Sequence, residues 1–370
     1  MNEEELKYRL ALHLVKGIGP VSARALISYC GSVENIFKKK KAQLERIPGI
    51  GKGRAAGIHR KDLFVRAEEE MNFLYKNEIR PLFCLDENYP SRLKNCEDAP
   101  LMLFYKGGAN LNHDRMIAVV GTRYITPYGK AMTEKLIEEL VRYRVVVVSG
   151  LAYGVDVQAH RSALKNGIPT VGVVAHGLDR LYPAENKSIA DRMIREGGLV
   201  TEYPGRTKPD RENFPARNRI VAGMCDAVVV IESAEKGGAL ITADLANDYN
   251  REVFALPGRT TDVFSRGCHR LIMQNKAMLY ESGDDIAAMM GWEDPGRGGK
   301  KKLPAQHELF SALNEEEQKL IHVLRETGKT GIDVLAQKAQ LPVSRTSSVL
   351  LNLEFAGILR TLPGKCYELI

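Results

Sequence analysis

Arginine, glycine and a lone phenylalanine set the chemistry that residues 119–242 can offer. GTRYITPYG puts Thr122 and Arg123 directly after the apolar run IAVV. A guanidinium there can meet a phosphate through two parallel hydrogen bonds while a helix starting near Thr126 adds its partial positive charge. The same arginine can instead pair with a carboxylate such as Asp156. SGLAYGVDVQAH sets Ser149 and Gly150 in a turn after VVVV and spaces Asp156 and His160 four apart, on one helical face. That spacing suits two metal ligands or a base with its orienter. Lacking a neighbouring third ligand or nucleophile, a buried pair that fixes helix to sheet is the simpler reading.

RTKPDRENFPARNR, residues 206–219, carries five basic and two acidic residues, two prolines and Phe214. Cations that follow a backbone, with a ring on which a base can stack, are the elements of single-strand binding. In this loop Arg211, Phe214, Arg217, Asn218 and Arg219 are the candidates; packing under the loop and surface ion pairs are the alternatives. KGGALITA ends a strand with Lys236, Gly237 and Gly238 before a helix, an anion cradle. Three catalytic or nucleotide fingerprints are missing: GxGxxG after the first strand, GxxxxGK[ST] and GxSxG. The set describes a phosphate crevice with no nucleophile, so no catalytic residue and no cofactor is assigned.

These turns need a scaffold, and the sequence supplies one. MIAVVG, RVVVVSG, TVGVVA, GLVTEY, AVVVIE and EVFALPG predict strands. They alternate with helices, one carrying Leu136, Ile137, Leu140 and Val141 on one face, and others over Val155 to Lys165, around Ile189 to Arg195 and around Leu240 to Asn250. β-branched runs alternating with amphipathic helices predict a doubly wound parallel α/β sheet, whose turns gather at the carboxyl ends of the strands. Residues 81–107, punctuated by proline, look like an edge layer. LVKGIGPVSARALI (14–27) and LERIPGIGKGRAAGI (44–58) repeat an apolar residue, a GxG turn and an amphipathic stretch, the pattern of a paired helix-hairpin-helix. Lysines and arginines flank the second copy, so a nucleic-acid contact and a plain helical interaction module both stay open. Residues 309–370 outline three helices and a hairpin about a Pro-Gly turn, a winged helix, with seven basic and seven acidic residues. The boundaries expected are 1–66 for the helical domain, 67–290 for the sheet domain, 291–308 for a linker and 309–370 for the winged helix.

At 370 residues the chain exceeds a single core. Its formal charge of +7 permits a polyanionic partner without requiring one. Six scattered cysteines and the absence of clustered histidines argue against zinc and disulfide frameworks. The start MNEEELKYRLALHL lacks the form of a secretory signal, and no apolar run approaches a membrane span, so a cytoplasmic protein without a membrane partner is expected.

The segments GTRYITPYG, SGLAYGVDVQAH, LDRLYPAEN, TEYP, FPARNRIVAG, LITA and ALPG, in this order, resemble the DNA-processing protein A family, also called DprA or Smf. The resemblance spans essentially the whole chain. It implies an extended Rossmann-like domain with a helical (helix-hairpin-helix, SAM-like) amino-terminal domain and a carboxy-terminal winged helix. It further implies single-stranded DNA as partner, a homodimer, and loading of a RecA-type recombinase during natural transformation. The DNA contacts it implies are Thr122, Arg123, Ser149, Gly150, Arg211, Phe214, Arg217, Asn218, Arg219, Gly237 and Gly238. Two positions depart from the family pattern: AHG stands before LDRLYP in place of GxG, and GG stands for SG in the last cradle. A nucleotide phosphoribohydrolase is the rival enzyme reading, weakened because KGGALITA lacks both the GT pair and the glutamate of its motif. A scaffold worked through its winged helix is the third.

Overall fold

In the computed structural model, which describes residues 2–60, 62–294, 314–355, 358–362 and 366–369, the β-branched runs become strands of a nine-stranded sheet. In chain order they are β1 (Arg80–Phe83), β2 (Met102–Gly107), β3 (Met116–Val120), β4 (Val146–Ser149), β5 (Thr170–Val173), β6 (Gly198–Thr201), β7 (Ala227–Val230), β8 (Glu252–Ala255) and β9 (Met278–Leu279). Across the sheet the order is β1-β2-β6-β5-β4-β3-β7-β8-β9. From β6 to β9 every pairing is parallel, whereas β2 runs antiparallel to both β6 and β1. The proline-punctuated stretch thus supplies the antiparallel edge. Strands β3, β4, β5 and β7 are buried throughout, as parallel strands covered on both faces must be. The chain runs from β3 outward to β6 and then returns to β7 on the other side of β3. That reversal opens a crevice at the carboxyl ends.

Six helices precede the sheet: α1 (Glu3–His13), α2 (Pro20–Cys30), α3 (Val33–Lys38), α4 (Lys41–Leu44), α5 (Gly51–Ile58) and α6 (Asp62–Lys76). The repeat seen in sequence is also a repeat in structure, displaced by 32 residues. Gly17 and Gly49 share φ values of 80° and 81°, a left-handed conformation that costs glycine little. Ile18 and Ile50, Ala23 and Ala55, and Leu26 and Ile58 are buried as matched pairs. The helices share one apolar core with a face of the sheet. His13 meets the Phe104 ring edge-on at 5.6 Å, the Arg24 guanidinium donates to the carbonyls of Glu97 (3.2 Å) and Ala99 (3.3 Å), and Glu70 accepts from the Gly205 N–H at 2.8 Å.

Within the sheet region come the short α7 (Ser91–Lys94), then α8 (Pro127–Leu140), α9 (Val155–Lys165), α10 (Lys187–Glu196), α11 (Asn213–Met224), α12 (Gly238–Asp248), α13 (Arg266–Met273) and α14 (Gly283–Met289). Leu136, Ile137 and Leu140 face the core. Val141, placed with them by spacing, instead opens a 3-10 turn and is 40% exposed.

The chain divides into two compact units, Met1–Gly296 and Arg297–Ile370. In the second, α15 (Glu315–Thr327), α16 (Ile332–Ala339) and α17 (Val343–Phe355) pack with a three-stranded sheet of order β10-β12-β11 (Thr330–Gly331, Cys366–Leu369, Leu359–Leu362). Three helices and a small antiparallel sheet form a winged helix around a core of their own. Residues 295–308 of the expected linker, and the Pro363-Gly364 turn, lie outside the described residues.

Candidate nucleic-acid interface

At the carboxyl ends of β3, β4 and β7 opens a cavity of about 930 Å³. Nine of the eleven residues singled out in the sequence line it: Thr122, Arg123, Gly150, Arg211, Phe214, Arg217, Asn218, Gly237 and Gly238. The turn after β3 is held rigidly. The Thr122 N–H donates to the Glu232 carbonyl (2.8 Å), and its carbonyl accepts from Val155 (3.1 Å). Glu232, buried at the end of β7, accepts from the Thr126 N–H at 3.0 Å and from its hydroxyl. Thr126 in turn caps α8 by accepting from Gly129 at 3.1 Å. A Cβ on Gly129 would stand 2.2 Å from the Glu232 carboxylate, so this packing needs glycine.

That frame presents Arg123 outward. It is exposed and has no acidic side chain within ion-pair distance among the described residues. The pairing with Asp156 allowed by the sequence is not made. Instead, the Arg123 guanidinium lies 5.5 Å from the centroid of the Phe214 ring, a cation–π arrangement. Tyr182 meets the same ring at 5.8 Å and 64°. Arg211 is likewise exposed and, among the described residues, forms no ion pair.

Phe214 does not sit in a loop. FPARNRIVAG, expected as a turn, forms most of α11, which begins at Asn213. Pro215 is tolerated because the first-turn N–H groups of a helix lack intrahelical partners anyway. The helix splits its polar residues. Asn218 donates to the Gly238 carbonyl at 3.3 Å and so ties α11 to the cradle before α12. Gly237 and Gly238 are exposed there, and a Cβ on Gly238 would meet nothing within 4 Å.

Arg217 is buried beneath the floor, donating to the Val173 carbonyl at 2.6 Å. Its guanidinium lies so close to Gly150 that a Cβ there would be 1.9 Å from Nη1. The Gly150 N–H donates to Asp156 Oδ2 at 3.1 Å. Burial pushes the Asp156 carboxyl up, opposed by the positive charge of Arg217. Burial likewise pulls the Arg217 guanidinium below its ordinary value, opposed by Asp156. Deeper still, His160 Nδ1 contacts Thr170 Oγ1 at 2.7 Å, and burial drives its pKa down to about 3, so the ring is neutral. Asp156 and His160 are therefore structural supports, and among the described residues no cluster of metal-ligating side chains forms.

Two expected contacts do not reach the cavity. The Ser149 side chain is fully buried, its hydroxyl donating to the Val119 carbonyl at 2.6 Å, because the residue is still in strand β4. Arg219 points to the opposite side of α11, where it pairs with Glu202 and donates to the Asp98 carbonyl at 2.8 Å. Conversely, Tyr124 and Tyr182 line the cavity and are 78% and 44% exposed. Their signal was legible, since each follows a strand inside a quoted motif. The AHG departure has its own function. Buried His176 donates to the Gly177 carbonyl from Nδ1 (2.9 Å) and accepts from the Tyr182 N–H at Nε2 (3.1 Å), which fixes the loop carrying Tyr182. Burial lowers its pKa and keeps Nε2 free to accept.

Residues 80–291 match the family described as DNA recombination-mediator protein A. Residues 10–61 match a SAM-like helix-hairpin-helix tandem, and residues 304–365 a DprA winged helix domain. Protein Smf of Synechocystis is 32% identical over the full length of both chains. The X-ray structure of DNA processing protein A from Streptococcus pneumoniae superposes with a TM-score of 0.64 at 34% identity, covering 76% of this chain and 97% of the other. DNA processing protein A from Helicobacter pylori, a structure concerned with its single-stranded DNA binding mode, gives a TM-score of 0.53 at 29% identity, covering 58% and 98%.

Proposed function

The chain belongs to the DNA recombination-mediator protein A family, and from that premise we propose that it binds single-stranded DNA in the β3–β4–β7 cavity. Supporting this most directly is the unpaired Arg123 guanidinium held against the Phe214 ring, a cation for a phosphate beside a face for a base. Arg211 adds a second cation, Tyr124 and Tyr182 add rings, and the exposed amides at Gly237 and Gly238 complete the track. Rings stack on any base and cations follow any backbone, so binding tolerates sequence and weakens with salt. Arg217 acts from below by shaping the Gly150 turn.

Among the described residues that line the cavity no side chain is set up as a nucleophile, and the proposed role is mediation without turnover. In full, the protein protects incoming single strands in natural transformation, loads a RecA-type recombinase onto them and works as a homodimer. Titration of labelled oligo-dT at two salt concentrations tests the binding step. Arg123→Ala and Arg211→Ala are expected to weaken binding of every sequence tried. Unchanged affinity in both variants removes the cavity from the DNA path. Recombinase loading is read separately, as strand exchange stimulated by the full chain; no stimulation sinks that part alone.

A further inference from the structure

One face of α6 is turned toward the segment that carries Arg211. Arg66, Glu69, Glu70 and Phe73 stand at positions i, i+3, i+4 and i+7 of this helix, a spacing that puts all four on one side. What they grip is a single residue, Gly205. Its N–H donates to Glu70 Oε1 at 2.8 Å, and its carbonyl accepts from Arg66 at 2.8 Å. Arg66 also donates to Glu70 Oε2 at 2.7 Å, so the two side chains hold each other as well as the peptide groups. Glu70 is 1% exposed, and a carboxylate buried that far is costly unless it is paired and hydrogen-bonded. Both conditions are met here, by Arg66 and by Gly205. A Cβ on Gly205 would lie 3.1 Å from the Phe73 ring and 3.3 Å from the Glu70 carboxylate, so the fit is closest with glycine.

The next residue is fixed twice over. Arg206 has a φ of 71°, a left-handed conformation that a residue other than glycine keeps only where its surroundings over-determine it. Its N–H donates to Asp179 at 2.9 Å, and its guanidinium donates to Glu69 at 2.9 Å. From there the chain runs into the cavity wall, which Pro209, Arg211 and Phe214 line. Arg211 is exposed and, among the described residues, forms no ion pair that could aim it. Its place is inherited from the backbone, and the backbone is pinned six positions upstream. We propose that Glu70 and Arg66 are positioning residues for the DNA cavity: by clasping Gly205 they hold residues 205–211 in the course that presents Arg211 to a phosphate. This role rests on the single-stranded DNA reading of the cavity, and it gives a part in binding to a helix that does not line it. Charge alone argues the other way, since deleting a carboxylate near the site should strengthen attraction for a polyanion. The clasp predicts weakening, because a freed segment must be ordered each time DNA binds, and fixing even one residue costs about five-fold in affinity or more.

The test uses the full chain and labelled oligo-dT, read by fluorescence anisotropy at two salt concentrations. Glu70→Ala is expected to bind about five-fold or more weakly than wild type, with a log–log salt slope shallower by up to about 0.7, the share of the Arg211 contact. Glu70→Gln keeps an oxygen for the Gly205 N–H and should bind close to wild type. Added to Arg211→Ala, the change Glu70→Ala should cost no more than about two-fold further, whereas added to Arg123→Ala its loss should multiply in full. Urea melts establish that each variant is folded; should Glu70→Ala not fold, Gly205→Ala, which crowds the clasp from the other side, takes its place in the same cycle. A folded Glu70→Ala protein that binds as well as wild type or better overturns the proposal. So does a loss that multiplies with Arg211→Ala as it does with Arg123→Ala, or a glutamine as damaging as the alanine. If neither Arg123→Ala nor Arg211→Ala weakens binding, the cavity reading falls and takes the clasp with it. If those two weaken binding and the Glu70 change does not, the clasp alone falls.

Discussion

Removing the Phe214 ring is the sharpest probe of the cavity, because the ring has two distinct jobs in the proposed mode. It stacks a base, and it holds the Arg123 guanidinium at 5.5 Å. Loss of one stacked base costs about 1–3 kcal/mol, which corresponds to roughly 5- to 150-fold in Kd. Loss of Arg123 removes one phosphate contact and should flatten the salt slope by about 0.7 for a single strand. If the ring also positions the guanidinium, the two losses overlap by the cation–π energy, about 0.5–1 kcal/mol at an exposed site. The double variant Arg123→Ala/Phe214→Ala should then lose less than the sum of the singles by that amount. Fluorescence anisotropy with labelled oligo-dT at two salt concentrations measures all four corners of the cycle. Phe214 is only partly buried, so urea melts should show the variants folded. A folded Phe214→Ala protein within two-fold of wild type would refute the stacking. Strict additivity would refute the coupling.

Other consequences follow from the same geometry. Gly238→Ala is sterically free, since its new Cβ meets nothing within 4 Å. Stability should change by less than about 0.5 kcal/mol while oligo-dT affinity drops, as a methyl group now stands where the phosphate approaches; undiminished affinity would remove Gly238 from the cradle. His160 predicts a pH effect with a definite sign. Its folded pKa of about 3 lies below the ordinary 6.5, so its contribution to stability is fully present above pH 6.5 and is lost as pH falls toward the folded value, by up to about 1.4 kcal/mol per pH unit. Asp156, shifted upward by burial, acts in the opposite direction, favouring the fold as it protonates. The difference between wild type and His160→Gln isolates the histidine, and parallel urea-stability profiles of the two proteins across this range would contradict the assignment.

Strands β3, β4 and β7 were readable because each is a short β-branched run, buried throughout and followed by a glycine or polar turn, whereas the parallel edge strand β9 is the dipeptide Met278–Leu279 and offers no such run. Most of the cavity was readable for the same reason, since residues just past the strands have only one place to go. What escaped the sequence depended on partners far along the chain. Arg217 looks like a surface cation until Gly150, 67 positions earlier, leaves room for its guanidinium under the turn. Arg219, two residues on, looks equivalent, yet the helix turns it toward Glu202. Both misplacements trace to one misreading, the basic segment taken as a loop when Pro215 stands in the first turn of α11. Ser149 was displaced by a single position, the difference between the end of a strand and the start of its turn.

The helices at the amino terminus and the sheet share one core, and this orders events in time as the chain leaves the ribosome. His13 waits for Phe104, 91 residues later, and Glu70 waits for Gly205, 135 residues later. Strand β2 must likewise stay unpaired on its inner side until β6 emerges, near residue 198. The first 76 residues, although first made, cannot reach their final protection alone. Nascent chains stalled before β6 should be cut readily by protease within this region, and chains stalled well beyond Gly205 should resist; early resistance would show that the helices close without the sheet.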